Sequence, residues 1–326
     1  MQIVRERVGL ESFHMDTFER KKASLFKKWG WKFFPFAQTD PLPHPKLMVP
    51  HQREEVVKLV DLIREGDLVT FVVSDFGMGK TTLCKYLCEV LPLQDPHLLT
   101  VFIPAQSIET PEQMLRLLLN RLEIEAGGDL TEEFEKFYRW HQTYPESKLV
   151  VFVDEFPELD VKVAEMIRAL ADLRNVTWVL NGRKEQILNY LQEYVPSLLS
   201  RKRYMLEMKP LSLEEVRELL LLRMAWARGE NNPKGDPLFP FTPSSIRKIY
   251  RLSRGIPREV LRLASEAVYS AIEKEAFKIS ASLVGEKIPR KRRRSFKKRT
   301  KSKPKSKPRP KRSKKRKTRR FRFFGR

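Results

Sequence analysis

The sequence predicts an α/β body, a parallel sheet of five strands between helices, followed by a small all-helical domain and a basic tail that forms no core. Three observations carry that prediction. Short apolar runs at Leu68 to Val73, Leu99 to Ile103, Leu149 to Val153, Val176 to Leu180 and Tyr204 to Met208 alternate with helical patterns; strands of that length separated by helices form a parallel sheet covered on both faces. After Leu211 the apolar runs stop and helical periodicity alone continues. The third observation is where the charge sits. Of 64 Lys+Arg, 24 fall between Lys287 and Arg326, a stretch with no Asp or Glu; the preceding residues therefore hold 40 cations against 41 carboxylates and are close to neutral. A uniformly basic coating protein is excluded, and the net charge of +23 belongs to an appendage.

The elements follow in order. Residues 1–47 read as an accessory segment: an amphipathic stretch near Asp16 to Lys28, an aromatic cluster (Trp29, Trp31, Phe33, Phe34, Phe36) and a connector spaced by Pro41, Pro43 and Pro45, expected as a helix and strap packed on the next domain. Residues 48–210 form that domain. A helix over His51 to Arg64 leads into the first strand, and a glycine-containing turn then opens a helix at Thr81. Thr110-Pro111-Glu112-Gln113 combines an N-cap, proline at the first helical position and a capping-box partner. Ser212-Leu213-Glu214-Glu215 is a second capping box, with Leu211 and Val216 as its hydrophobic staple, and it starts the helical domain of residues 211–286. Cys84 and Cys88, four apart on a helix, read as core thiols rather than a disulfide. No uncharged apolar run approaches the roughly 18 residues that span a bilayer, and the N-terminus lacks a signal-peptide pattern; a soluble, cytoplasmic protein is expected.

The turn after the first strand is Ser74-Asp75-Phe76-Gly77-Met78-Gly79-Lys80-Thr81-Thr82. Gly79-Lys80-Thr81 between a strand and a helix is the core of a phosphate-binding P-loop. Glycines let backbone N–H groups close around phosphate at a helix N-terminus, whose partial positive charge favours an anion. Lys80 is placed to reach the β- and γ-phosphates of ATP, and the Thr81 hydroxyl to bind Mg²⁺. The first position of the G-x-x-x-x-G-K-[ST] pattern is Ser74 instead of glycine, with Gly77 supplying flexibility inside the loop. Leu149-Val150-Val151-Phe152-Val153-Asp154-Glu155 is an apolar strand ending in two carboxylates. Parallel to the first strand, it brings Asp154 to the same sheet edge as the metal ligand, while Glu155 points away to activate water. The strand over Val176 to Leu180 ends at Asn181-Gly182-Arg183; Asn181 reads either as an amide facing the γ-phosphate or as a turn-forming Asn-Gly. Arg201, Lys202 and Arg203 read either as an arginine reaching a neighbouring subunit's nucleotide or as a solvated basic turn.

These residues resemble an AAA+ ATPase of the additional-strand class. More narrowly they are similar to the group containing origin-recognition and helicase-loader ATPases, general-secretion-pathway A-type ATPases and transposition-associated regulators. The likeness runs through Pro35-Phe36, His51-Gln52-Arg53-Glu54, Gly79-Lys80-Thr81-Thr82-Leu83, Asp154-Glu155, Pro210-Leu211-Ser212 and Ser253-Arg254-Gly255-Ile256-Pro257-Arg258. It implies a P-loop domain followed by a helical lid. It also implies Asn181 as sensor 1, Arg258 reaching from the lid to the γ-phosphate, Arg201 (or Arg203) as the arginine finger, and assembly with copies of itself or a related AAA+ subunit. Origin-recognition relatives usually add a winged helix after the lid, where this sequence continues as the basic tail. Secretion relatives usually carry a membrane span, and no span is evident here.

The tail, residues 287–326, carries Pro289, Pro304, Pro308 and Pro310 among dense like charge, and is expected to be disordered when free. It reads either as a solubilising or localisation tail or, more sharply, as a clamp on nucleic-acid phosphates, DNA first, with Phe321, Phe323 and Phe324 to stack on unpaired bases or dock on a protein. About six phosphate contacts make affinity fall by roughly 10³ between 50 and 200 mM salt. The expected function is a DNA-associated, Mg²⁺-dependent ATPase acting on nucleoprotein complexes. The alternative is a nucleotide-dependent scaffold whose tail binds an anionic membrane or an acidic protein.

Overall fold

The computed structural model describes residues 15–37, 43–66, 69–229 and 236–285. The tail expectations lie outside these residues, as does Leu68 at the start of the first predicted strand. The described chain belongs to one compact unit.

Five strands build the sheet: β1 (Val69–Val73), β2 (Leu98–Pro104), β3 (Lys148–Asp154), β4 (Val176–Gly182) and β5 (Lys202–Glu207). They run in the order β2-β3-β4-β1-β5, and every pairing is parallel. The five residues of β1 and the seven of β4 are all buried, as strands covered on both faces must be. Side-chain alternation sorts the sheet into two cores. Val69, Phe71, Val73, Leu149, Val151 and Val153 face one way, against α4 (Pro111–Arg121), α5 (Leu130–Thr143), α6 (Val161–Leu170), α7 (Lys184–Tyr194) and the short α8 (Pro196–Ser200). Val72, Val150, Phe152 and Val179 face the other way, against α2 (Arg53–Glu65) and α3 (Lys80–Gln94). Because β4 separates β1 from β3, its tip stands between the turn after β1 and the carboxylates that end β3.

After β5 come α9 (Leu213–Arg228), α10 (Pro243–Ser253) and α11 (Pro257–Lys274), around a third core. Both predicted capping boxes form, with Thr110 accepting from Gln113 N–H and Ser212 from Glu215 N–H. Leu211 and Val216, the staple pair, are both buried in the lid core.

The N-terminal segment corrects the sequence expectation. Its helix α1 (Met15–Trp29) and the aromatic strap after it pack on the lid and not on the sheet domain that follows them in the chain. Trp29, Trp31 and Phe36 are buried with Val260, Ala264 and Phe241, and Trp29 Nε1 donates to Phe277 O at 2.9 Å. The reason is volume. Large aromatic rings from the strap share the core that holds Ile249, Leu263 and Val268 and add apolar volume to it; Trp29 and Trp31 meet edge-on at 4.8 Å.

Candidate functional site

The turn between β1 and α3 begins the site. Gly79 caps α3 without a side-chain hydrogen bond, and the first turn of α3 contains no carboxylate. Its leading N–H groups are therefore available to an anion. Lys80 is buried (5 % exposed), and its ammonium donates to the carbonyls of Ser74 (3.2 Å) and Asp75 (3.1 Å) and to the Ser74 hydroxyl (3.4 Å). This accounts for serine at the first loop position, because its hydroxyl adds an acceptor for the lysine that glycine lacks. Burial lowers the Lys80 pKa, against the raising pull of Glu155, Asp154 and Asp75. Among the described residues no carboxylate lies within ion-pair distance of the ammonium. A buried cation held only by neutral oxygens is a site prepared for an anionic ligand, and a phosphate fits it.

Beside it, Thr81 Oγ1 donates to Asp154 across both carboxylate oxygens, at 2.9 and 3.0 Å. A hydroxyl and a carboxylate at that spacing are the hard oxygen donors that Mg²⁺ takes along with phosphate, so Thr81 and Asp154 fit the ion and would hold it. Glu155 follows in the left-handed region (φ 54°), which turns its side chain out of the β3 direction and into the same cleft. Burial raises its pKa, the neighbouring Lys80 lowers it and Asp154 raises it further; the net direction is up.

Asn181, fully buried at the tip of β4, fastens this strained residue. Its Oδ1 accepts the Glu155 N–H at 3.2 Å, and its Nδ2 donates to Cys84 Sγ at 3.4 Å. The Cys84 thiol, pushed up to about 12 by burial, stays protonated. Cys84 lies four residues after Lys80, on the inner face of α3, and that spacing is its signal in the sequence.

The lid closes the cleft from above. Arg258, second residue of α11, donates its N–H to Gly77 O at 3.2 Å, and its guanidinium lies 4.0 Å from the ring centre of Phe76. Phe76 is 66 % exposed at the mouth. The cleft encloses about 460 Å³, with Gly77 to Thr82 and Glu155 along one side and Arg258 and Leu261 on the other. Met48, Val49, Met208 and Leu219 add an apolar wall to its lining. Sequence reasoning misses this wall; its trace is the triplet Leu47-Met48-Val49 after the proline connector. His51 also lines the cleft and joins the two sides, hydrogen-bonded to Glu215 (2.8 Å) and to Lys209 O (2.8 Å).

Ser74, Asp75, Phe76, Gly77, Met78, Gly79, Lys80, Thr81, Thr82, Asp154, Glu155, Asn181 and Arg258 thus converge on one sheet edge. Arg201 does not. It stands before β5, where its guanidinium forms a two-pronged pair with Asp172 (2.7 and 2.8 Å) and a third bond to Ser197 O (2.8 Å). Arg203 lies on β5, exposed.

A five-stranded parallel sheet in this order, with a P-loop after β1 and a helical lid, is the AAA+ P-loop fold. Residues 63–191 match the model of a family described as AAA domain. Over 248 residues it is 25% identical to General secretion pathway protein A of Aeromonas hydrophila, covering 73% of this chain and 43% of that protein, so it spans less than half the length of that relative. Among solved structures it is similar to the Aeropyrum pernix ORC2 protein in its ADPNP–ADP complexes, with TM-score 0.54 and 16% identity over 76% of this chain and 69% of that one. The Aeropyrum pernix ORC1 protein in complex with DNA matches with TM-score 0.54 and 16% identity, over 74% and 66% of the two chains. Among the described residues no helix is long and apolar enough to cross a membrane.

Proposed function

We propose that this protein is an ATPase that binds and hydrolyses Mg²⁺–ATP to drive assembly on, or remodelling of, nucleoprotein complexes. The observation that carries the reading is the buried Lys80 ammonium on neutral oxygens beside the Thr81–Asp154 pair. Lys80 and the N–H groups of Gly77 to Thr82 hold the phosphates. When bound at Thr81 and Asp154, Mg²⁺ supplies charge neutralisation to the transferring phosphoryl group. Glu155 accepts a proton from the attacking water, with Asn181 holding its backbone in place. Arg258 places a cation on the phosphate side from the lid, and the apolar wall takes the base. In this reading Arg201 acts between subunits, and doing so requires it to leave Asp172.

The nucleoprotein role is supported by the likeness to the ORC1 protein, which is described in complex with DNA, and by the cationic tail at 287–326. The match to General secretion pathway protein A favours a second reading, a nucleotide-driven scaffold in an export system whose tail meets a membrane or an acidic protein. Two measurements test these readings. Glu155→Gln should keep ATP affinity and lose turnover, and unchanged hydrolysis would sink the catalytic assignment. Acceleration of hydrolysis by duplex or single-stranded DNA selects the first reading, and its absence selects the second.

A further inference from the structure

Helix α10 has the sequence Pro-Ser-Ser-Ile-Arg-Lys-Ile-Tyr-Arg-Leu-Ser and contains no carboxylate. Its inner face, Ile246 and Ile249, is buried in the lid. Outward, Arg247, Tyr250, Arg251 and the C-capping Arg254 are all exposed. Arg247, Tyr250 and Arg251, at i, i+3 and i+4, fall on one helical stripe, and Arg254 follows at its C-terminal end in the left-handed region, φ 53°. Lys248 does not belong to the stripe, since its ammonium donates to Ala281 O at 2.9 Å.

A row of surface arginines is ordinarily a solvated face, and the rest of the lid shows what that looks like. Arg217 on α9 pairs with Glu214 at 3.8 Å, and Arg262 on α11 pairs with Glu259 and Glu266, both at 2.7 Å. On α10 the pattern breaks: among the described residues Arg247, Arg251 and Arg254 form no ion pair. The carboxylate lining the shallow cleft beside Arg247 is Asp236, which accepts the Leu238 N–H at 3.0 Å and shares that cleft with a second cation, Arg217. The helix C-terminus favours cations by ~0.3–1 kcal/mol each. That accounts for Arg251 and Arg254 but not for Arg247, nor for the missing carboxylates.

We propose that the stripe of Arg247, Tyr250, Arg251 and Arg254 is a contact surface for the phosphate backbone of a nucleic acid. Planar guanidinium forks match phosphate geometry better than ammonium groups. Seven helical residues rise about 10 Å, which spans about three phosphates of one strand at roughly 3.4 Å of axis each. Tyr250 stands between the cations, where an aromatic ring stacks on a sugar or an unpaired base. The surface is also wired to the nucleotide cleft, because Arg254 precedes Gly255 and Arg258 begins the next helix against Gly77 and Phe76. The choice of nucleic acid among polyanions rests on the proposed nucleoprotein role; the location on α10 does not.

The test uses the full-length protein, with fluorescence anisotropy of labelled duplex and single-stranded oligonucleotides at several salt concentrations. The triple variant Arg247→Gln, Arg251→Gln, Arg254→Gln should keep its DNA-free ATPase rate and lose no more than a few °C in Tm, the cost of two cations at a helix C-terminus. Its plot of log affinity against log salt should be shallower by about 2–3, since each phosphate contact contributes about 0.9. Should the triple variant fold poorly, Arg247→Gln alone, away from the helix end, should flatten the slope by about 1. A parent that binds oligonucleotides and a variant with the same slope overturn the inference while leaving the nucleoprotein reading intact. A parent that binds no oligonucleotide overturns both. A variant that loses binding to phosphatidylserine vesicles but keeps its DNA slope assigns the stripe to a membrane and also overturns the inference.

Discussion

Gly255→Ala should damage both stability and the nucleotide site. Gly255 sits between α10 and α11 at φ +75°, and its carbonyl accepts the Leu211 N–H at 2.8 Å, which ties the start of the lid to its middle. A methyl group here would lie 3.1 Å from both the carbonyl carbon and the nitrogen of Leu211, and closer still to its carbonyl oxygen. All three are backbone atoms, which leaves no flexible side chain to give way. Left-handed backbone costs an alanine roughly 1–2 kcal/mol, the overlap about 1–3 kcal/mol, and the weakened hydrogen bond about 1 kcal/mol. Together these reach about 3–6 kcal/mol, or on the order of 10 °C in Tm for a body of this size. Gly30 provides the control: its φ of +72° carries the same backbone cost, but the nearest atom to an added methyl is Arg228 Cγ at an ordinary 3.8 Å. Gly30→Ala should therefore lose only ~1–2 kcal/mol, about 2–6 °C. Differential scanning calorimetry with and without ATP measures both quantities, because ligand stabilisation follows RT ln(1 + [L]/Kd). Gly255→Ala should also show a smaller ATP-induced shift, since Arg258 is three residues away. Equal Tm losses in the two variants would refute the close-approach argument.

Two further outcomes are expected. Burial holds the Glu155 carboxyl above the ordinary carboxylate range, and a base must be deprotonated to act. Hydrolysis should accordingly fall as pH drops, with the acid limb of kcat/KM above the ordinary carboxylate pKa of about 4.3; full kcat/KM retained down to that pH would contradict the base assignment. Phe76→Ala should weaken ATP binding by about 2–5-fold, the equivalent of ~0.5–1 kcal/mol for an exposed cation–π contact, because Arg258 loses the ring that holds it 4.0 Å away. Phe76→Tyr should restore the affinity, and an alanine variant that binds ATP like the parent would show the ring to be idle.

What the sequence makes legible is local. Strand and helix periods, the Gly79-Lys80-Thr81 turn and the Asp154-Glu155 strand end all depend on residues within a few positions of one another, and the structure brings them to one edge. What stays hidden depends on distant pairings. The aromatic strap of Trp29, Trp31 and Phe36 announces a buried cluster, but its partners Phe241 and Val260 are some 200 residues away, and nothing local distinguishes the lid from the nearer sheet domain. The Asn181 amide touches Glu155 and Cys84 only because β4 is threaded between β1 and β3, an order that no single strand encodes. Arg201 stands out in the sequence through the resemblance alone, while the three hydrogen bonds it donates go to Asp172 and Ser197, which the fold brings to it.

The position of α1 changes how a nucleotide signal must travel. Elements that share one core move as one body, because a packed interior shifts between discrete arrangements and does not deform smoothly. Helix α1 shares its core with α9, α10 and α11, so it belongs mechanically to the lid. The lid in turn meets the sheet domain at chemically distinct points: Arg258 on Gly77 and Phe76, and His51 bridging Lys209 O and Glu215. Both points line the cleft that would hold ATP. A ligand that engages Arg258 therefore acts on contacts that set the angle of the entire lid assembly. The outer face of α10 and the exposed side of α1 ride on that assembly, so a partner bound at either would sense a change of nucleotide.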